Sequence, residues 1–373
     1  MLTPSVSTTT IYHVPNFDIF SKFTNFVVFD SLPFNDNIGS VNNINISYDN
    51  FDELLELSEK SKVGINNDTV YNEDYRKSNE ILADKINLST SFINFVNNFV
   101  EQHTKEFGKI KLYFYKLILY DENDYFKSHI DAEHRPDILF TLSVQLPCEE
   151  PTLIVNKEPI PCSEDGNLSL ALFYTDLPHS VPQLPYRRIS LIFDCCEDIN
   201  YIPEFPEVNQ AIQTFKDLNI NKIGIIMNHV FFSDFRFKGV DRWIKNCFKD
   251  FKTELMPITI ERGYLDVKIY PSDVLNLLSE SEAFESLYFK SEDLPKNKNV
   301  EIKTKDIKEF EPEMDTQSHW VKDNYKLGDI AIISINNDKL KGIIKYFPNE
   351  EAHLGNEGFY GKIYENMLLI VYL

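Results

Sequence analysis

Cysteine is sparse in this 373-residue chain. Its five members, Cys148, Cys162, Cys195, Cys196 and Cys247, are odd in number and show no CxxC spacing. That excludes a disulfide framework of the kind that staples small secreted domains, and it favours a reducing compartment. Long apolar runs are missing too: no stretch approaches the ~18 uninterrupted apolar residues that a membrane-spanning helix needs. The opening segment "MLTPSVSTTTIYHVPNF" lacks the basic start and apolar block of a secretory signal. The expected location is the cytoplasm, with the nucleus as the alternative. Internal repeats with periods of about 20–50 residues are absent, and so are low-complexity tracts of any length.

Positive charge is also in short supply. Lys and Arg total 37 against 58 Asp and Glu, a formal net charge of −21. A surface of that sign repels phosphate backbones and anionic bilayers, so neither nucleic acid nor membrane is an expected partner. A neutral or basic protein or peptide fits it better. What the chain does have is apolar material, 43% of its residues, with 29 Phe and 19 Tyr against 2 Trp. That is ample for a packed core and argues against global disorder.

Along the chain, residues 1–20 read as a polar arm, and 35–50 as strand fragments joined by Asn/Gly turns. "NFDELLELSEKSK" has helical apolar spacing, with Asp52 and Glu53 in its first turn. The segment 75–107 breaks around Asn87–Ser91. Beyond the break Phe92, Phe95, Val96, Phe99 and Val100 recur at the spacing of an amphipathic helix. The texture then changes to short apolar runs at 111–120, 138–147, 152–159, 168–175 and 187–195, separated by Pro, Asp, Glu and Gly. Several short strands with turn signals between them indicate a jelly-roll sandwich or barrel.

Past Asp198 the pattern mixes. Residues 221–232 fit either strand or buried helix, 239–251 read as helix, and "SDVLNLLSESEAFESLYF" as another. The charged run 290–315 reads as a solvated excursion, with strands "DIAIISIN" and "NMLLIVYL" beyond it. The expected class is α+β, mainly β: a jelly-roll core buttressed by N-terminal helices and followed by an α/β region. The expected division is an N-terminal arm with strands at 1–50, the helix-buttressed β domain at 51–200, and the C-terminal region at 201–373.

The chemistry concentrates in "NDYFKSHIDAEHRPD", where His129 and Asp131 stand two apart at the end of a strand. Alternate residues of an extended segment project the same way, so the two heads converge on one point. A third donor, His179, lies between the strands 168–175 and 187–195. Two imidazoles and one carboxylate occupy one face of an octahedron and leave three positions open. That arrangement suits Fe(II) with a chelating co-substrate and dioxygen. Arg188 follows nine residues after His179 at the start of a strand, where a guanidinium can clasp the distal carboxylate of 2-oxoglutarate bidentately. Its neighbour Arg187 faces the other way. Along "FTLSVQL", Thr141, Ser143 and Gln145 alternate with apolar residues, a polar face that belongs in water or in a ligand cavity. The remaining histidines read as surface or packing residues, with His134 in a turn and His229 in the core.

"LILYDENDYFKSHID", "FTLSVQLP" and "YTDLPHSVPQLPYRRISLIFD" resemble the iron- and 2-oxoglutarate-dependent oxygenases of the prolyl 4-hydroxylase type. "GINNDTVYNEDYRKSNEILADKI", "FKGVDRW" and "LGNEGFYGKIYENMLLIVYL" are similar to a branch common in fungi and other microbial eukaryotes. The resemblance runs from about residue 60 to the end, patchily after 200. It implies a double-stranded β-helix with His129, Asp131 and His179 on iron and Arg188 on 2-oxoglutarate. Tyr120 and Gln145 would be further co-substrate contacts, and ascorbate a supporting reductant. The implied activity is hydroxylation of a C–H bond, with a prolyl residue of a protein as first candidate and succinate and CO2 as co-products. The turn before the first ligand departs from the family's Gly-rich pattern, being "DENDYF", which bears on the substrate entrance. A jelly roll without catalysis, serving as a binding scaffold, is the alternative from a different class. Nucleic-acid demethylation on the same fold is the weakest, given the acidic charge.

Overall fold

The computed structural model describes residues 20–217 apart from 21, 66–67, 132–134, 136, 149 and 162–165, then 220–229 and 237–261. It also describes the strands at 7–11, 264–268, 286–290, 298–304, 331–334 and 353–354, and the segment 366–373. The chain divides into two compact units. One comprises Phe26–Tyr201 and Pro348–Tyr360, the other Met1–Asn25, Ile202–Phe347 and Gly361–Leu373.

Eight strands form the core of the first unit: β1 (Lys111–Tyr120), β2 (Tyr125–His129), β3 (Ile138–Gln145) and β4 (Leu153–Val155), followed by β5 (Glu158–Ile160), β6 (Leu168–Tyr174), β7 (His179–Val181) and β8 (Arg188–Cys196). They segregate into two antiparallel sheets, one in the order β6-β3-β8-β1 and the other β5-β4-β7-β2. The chain crosses between the sheets at nearly every step, so sequence neighbours face one another across the core. This is the strand order of a double-stranded β-helix, the mainly β fold expected. The larger sheet is extended by Val27–Leu32 beside β6 and by Asn79–Leu82 and Glu59–Lys60 beside β1, the smaller by Arg76–Lys77 beside β2.

The strands form where β-branched and aromatic residues run together between turn residues. β3 and β6 are buried at every position, as central strands covered on both faces should be. Between the sheets, Leu153, Val155 and Ile160 pack on Ala171 and Phe173. At the other end Phe126 packs with Tyr75, Ile118 and Tyr120. The outer face of the larger sheet is covered by helix α2 (Thr90–His103), which buries Phe92, Val96, Phe99 and Val100. Ser89 caps it by accepting a hydrogen bond from the Phe92 N–H at 3.1 Å. The shorter α1 (Phe51–Glu56) buries Phe51 and Leu54, and the chain is already a strand by Glu59, sooner than the apolar spacing predicts. The expected Asn turn is a hairpin between Gly39–Val41 and Ile44–Asn45, with Asn42 and Asn43 both at positive φ (47° and 69°).

In the second unit eight strands close into a barrel, running Ser7–Ile11, Lys298–Thr304, Ser286–Lys290, Tyr264–Lys268, Lys252–Glu261, Asn366–Tyr372, Lys222–Ile226 and Ala331–Ser334 around the ring. Helices α3 (Pro206–Asp217) and α4 (Gly239–Cys247) accompany it. Three expectations change here and one open reading is decided. The ambiguous run at 221–232 contains a strand, since Lys222–Ile226 pairs on both sides. The arm at 1–20 contributes the strand Ser7–Ile11, and the charged excursion contains the strand Lys298–Thr304, which pairs with it. The end of the helix candidate at 272–289 is strand Ser286–Lys290, because two neighbouring strands supply its backbone partners; the rest lies outside the described residues. Helix α4 matches its apolar spacing, with Val240, Trp243 and Ile244 buried.

Cys195, Cys196 and Cys247 are free, whereas Cys148 is disulfide-bonded, a pairing that the sparse, CxxC-free cysteines do not announce. No helix among the described residues is long and apolar enough to cross a membrane.

Candidate metal centre

His129 ends β2 and His179 opens β7, and these adjacent antiparallel strands place the two residues opposite one another in register. Fifty residues of sequence separation therefore collapse to a cross-strand pair, with ring centroids 4.2 Å apart. Asp131 follows two residues after His129, and its backbone N–H donates to the Thr175 carbonyl at 3.0 Å. One donor atom from each of the three lies within 4.8 Å of the others, the only such cluster of His, Cys, Asp and Glu among the described residues.

Each side chain is held by a partner that leaves its inward atom available. His129 Nδ1 lies 2.8 Å from the Lys127 carbonyl oxygen, and His179 Nδ1 lies 2.9 Å from that of Leu177. A carbonyl only accepts, so both Nδ1 atoms carry the proton and both Nε2 atoms keep a lone pair, as metal-binding imidazoles require. The Thr141 hydroxyl donates to Asp131 Oδ2 at 2.5 Å, while Asp131 Oδ1 faces His179 Nε2 at 3.5 Å. Phe126 stacks on the His129 ring, with centroids 3.5 Å apart and planes 20° from parallel.

The electrostatics agree with this geometry. Burial, reinforced by the neighbouring His179, holds His129 well below its usual pKa and therefore neutral. Burial alone would raise Asp131, but His179, then His129 and Thr141, more than reverse it and hold the carboxylate below its ordinary range. For His179, burial opposes the charged form, and the Asp131 carboxylate outweighs it and moves the imidazole upward. A strongly ionised carboxylate between two imidazole lone pairs is a donor set for a hard-to-borderline divalent cation.

Polar side chains run from this cluster along the inner face of the larger sheet. That face is fixed by Thr141, whose hydroxyl reaches Asp131. Strand pairing places Asp194 beside Thr141, then Lys116, Ile192 and Ser143 in the next row, then Ser190, Gln145 and Ser169. Tyr120 and Arg188 pair at the far end. The polar alternation of Thr141, Ser143 and Gln145 is thus buried and turned inward, and all three are under 7% exposed. A polar wall sealed from bulk water is costly unless something polar fills it, and Ser169 Oγ has no hydrogen-bond partner among the described residues.

Arg188 is 1% exposed and donates through Nη1 to the Pro182 carbonyl at 2.7 Å and through Nη2 to the Asp124 carbonyl. Its guanidinium lies over the Tyr120 ring at 4.9 Å, so Tyr120 packs against the cation. Its Nε remains buried without a partner, a donor suited to an anion. Arg187 is committed elsewhere, to Asp52 at 2.7 Å and Asp121 at 3.0 Å on the surface. Of the expected residues, the structure brings His129, Asp131 and His179 together and sets Gln145, Tyr120 and Arg188 along the same inner face. His134 lies outside the described residues, and His229 is fully buried, away from the cluster in sequence and unit.

Two features escape the sequence reading. Thr141 anchors the Asp131 carboxylate of the candidate metal site. A buried charged group of Arg76, Glu80 and Lys116 adjoins the same inner face, with Lys116 Nζ 2.9 Å and Arg76 Nη2 3.5 Å from Glu80 Oε2. The alternation of "KLYFYKLILY" signals Lys116, but Arg76 and Glu80 sit in strands of two and four residues, too short to show a period.

No protein-family profile and no curated protein matches the chain. Solved structures do. A Pseudomonas putida prolyl-4-hydroxylase is 12% identical, with 49% of this chain and 99% of that chain covered and a TM-score of 0.29. A viral collagen prolyl hydroxylase from Paramecium bursaria Chlorella virus-1, in a 2OG complex, is 14% identical over 33% of this chain and 81% of that chain, with a TM-score of 0.26. A Trichoplax adhaerens prolyl hydroxylase, in complex with a hypoxia inducible factor peptide fragment, is 14% identical over 49% of this chain and 91% of that chain, with a TM-score of 0.31. The jelly roll itself rests on the strand order of this chain.

Proposed function

We propose that the chain is an Fe(II)- and 2-oxoglutarate-dependent oxygenase of the prolyl 4-hydroxylase-like type, with residues 51–200 as its catalytic domain. The observation that carries this reading is the arrangement at His129, Asp131 and His179. Two imidazoles have their Nδ1 protons tied to backbone carbonyls, and a carboxylate is anchored through one oxygen, so three free donor atoms face one point. Such a set binds one face of a metal ion and leaves the opposite face open. The buried, unpartnered Nε of Arg188 fits the distal carboxylate of the co-substrate.

When bound, the iron supplies the centre at which dioxygen is reduced at the expense of 2-oxoglutarate, one oxygen atom passing to succinate and the other to the substrate C–H bond. Carbon dioxide is the remaining product, so the atoms balance with no further reductant. The chain's own contribution is positional. Lys127 and Leu177 fix the imidazole tautomers, and Thr141 fixes the carboxylate. Arg188, backed by Tyr120, orients the co-substrate, and the two sheets exclude water from the polar wall between. A protein substrate, with a prolyl residue as first candidate, fits the acidic surface and the family resemblance. The test is succinate release from 2-oxoglutarate with Fe(II) and dioxygen, compared between wild type and His129→Ala. The reading expects release from the wild type alone; equal rates would remove it.

A further inference from the structure

An open groove of about 710 Å³ lies between helix α2 and the start of β1. One wall is Asn94, Asn97, Asn98 and Glu101, a polar stripe of α2 at i, i+3, i+4 and i+7. The other wall is the unbroken run 109–113. Successive residues of a strand point to opposite faces, so a groove on one face would take every second residue. Lining by consecutive residues means that the groove follows the backbone edge.

That edge is free among the described residues. β1 pairs with β8 along its length, but with its other neighbour, Asn79–Leu82, only from Lys116 to Leu119. Lys111, Leu112 and Tyr113 therefore have a strand on one side and the groove on the other. A backbone edge left open in this way is a template for one more strand.

The side chains around it suit such a guest. The carboxamides of Asn94, Asn97 and Asn98 offer the same donors and acceptors as a peptide group. None of these three, nor Glu101, Lys109 or Lys111, holds a hydrogen bond or ion pair among the described residues. Lys109 and Lys111 outnumber Glu101, a local excess of positive charge on a chain whose formal net charge is −21. A strand that carries carboxylates complements it. A second copy of the chain does not, because two-fold pairing along this edge brings the lysines of both copies together. Lysine on an exposed edge is itself a device against such pairing.

We propose that this groove docks an extended acidic peptide segment, which joins the larger sheet as a strand beside residues 111–113. The inference goes beyond the oxygenase reading and stands without it. Tyr113 pairs with Asp194, and Asp194 with Thr141, the residue that anchors Asp131. The docked strand would thus lie in the row of the candidate metal site, three strand spacings or about 14 Å from β3.

The test is calorimetric binding of three end-capped heptapeptides to the full chain. They are TVEVEVT, its basic counterpart TVKVKVT, and TVEVEVT N-methylated at every backbone nitrogen, which keeps the side chains and loses the ladder donors. Wild type should bind TVEVEVT about 10-fold or more tightly than either of the others, the worth of one charge-assisted hydrogen bond. Lys109 and Lys111 are both exposed, so the pair Lys109→Glu/Lys111→Glu leaves the core untouched, and it should reverse the preference in favour of TVKVKVT. Hydrogen exchange at the amides of 111–113 should slow when TVEVEVT binds. No binding at millimolar peptide overturns the inference, as does binding that N-methylation or the charge reversal leaves unchanged. A wild-type dimer that protects these amides without peptide overturns it too, and assigns the edge to a second copy.

Discussion

Thr141 and Asp131, on opposite sides of a chain reversal, are joined by a 2.5 Å hydrogen bond from the threonine hydroxyl to carboxylate Oδ2. The bond ties β3 to the end of β2 and leaves Oδ1 facing His179. A carboxylate ligand held this way is oriented before any cation arrives, and partners of this kind govern metal affinity almost as strongly as the ligands do. Thr141→Val, which keeps shape and removes the donor, should weaken divalent-cation binding about 10-fold or more. Thr141→Ser should retain it. Titration of Mn(II) into each variant checks both expectations.

Arg187 and Arg188 are neighbours with opposite fates. Arg187 is a surface cation with two partly exposed partners, an arrangement worth about 0–1 kcal/mol. Arg187→Gln should leave 2-oxoglutarate affinity and stability near wild type. Arg188→Gln should raise the 2-oxoglutarate dissociation constant about 10-fold or more while Mn(II) binding persists. Equal losses in the two variants would contradict the assignment.

Phe126 packs beneath the candidate metal site, stacked on His129 and under the Arg76 guanidinium. Phe126→Ala removes a buried ring from the core and should cost about 3–5 kcal/mol in urea unfolding. It also unseats the His129 ring, so metal affinity should fall alongside stability. Phe126→Leu, closer in volume, should cost less on both counts.

Lys116 gives a pH signature. Burial, partly offset by Glu80, lowers its pKa to about 8 from the 10.5 of a free lysine. Between those values the unfolded chain binds the proton and the folded chain does not, so stability from this group rises with pH. Below about pH 8 both states are charged and the full penalty applies. Relative to Lys116→Met, wild type should gain about 1–3 kcal/mol between pH 8 and 10.5. Chemical unfolding of the two proteins across that window reads it, and a flat difference would contradict the buried-ammonium picture.

The jelly roll was largely legible because its central strands are dense in Ile, Leu, Phe and Tyr and end at Pro, Asp and Gly. The runs at 111–120 and 168–175 mark β1 and β6 almost residue for residue. The His129–Asp131 spacing was legible as well, since period two is a local property. The role of Thr141 was not, because it depends on which strand lies next to which. Nor was the helix-like start at 50–62 told from its true length, since the edge strand that interrupts it is stabilised by pairing with Asn79–Leu82. Strands such as Lys298–Thr304 were hidden by their charge: their pairing partners are remote in sequence, and backbone hydrogen bonds leave no composition signal.

The central claim, that His129, Asp131 and His179 share one divalent cation, is tested most directly by Mn(II) electron paramagnetic resonance titration. Wild type should take up one tightly held ion per chain, with His179→Ala and Asp131→Ala losing it and Arg187→Gln keeping it. Tight one-to-one binding that survives both alanine substitutions, or no binding by the wild type, would contradict the account.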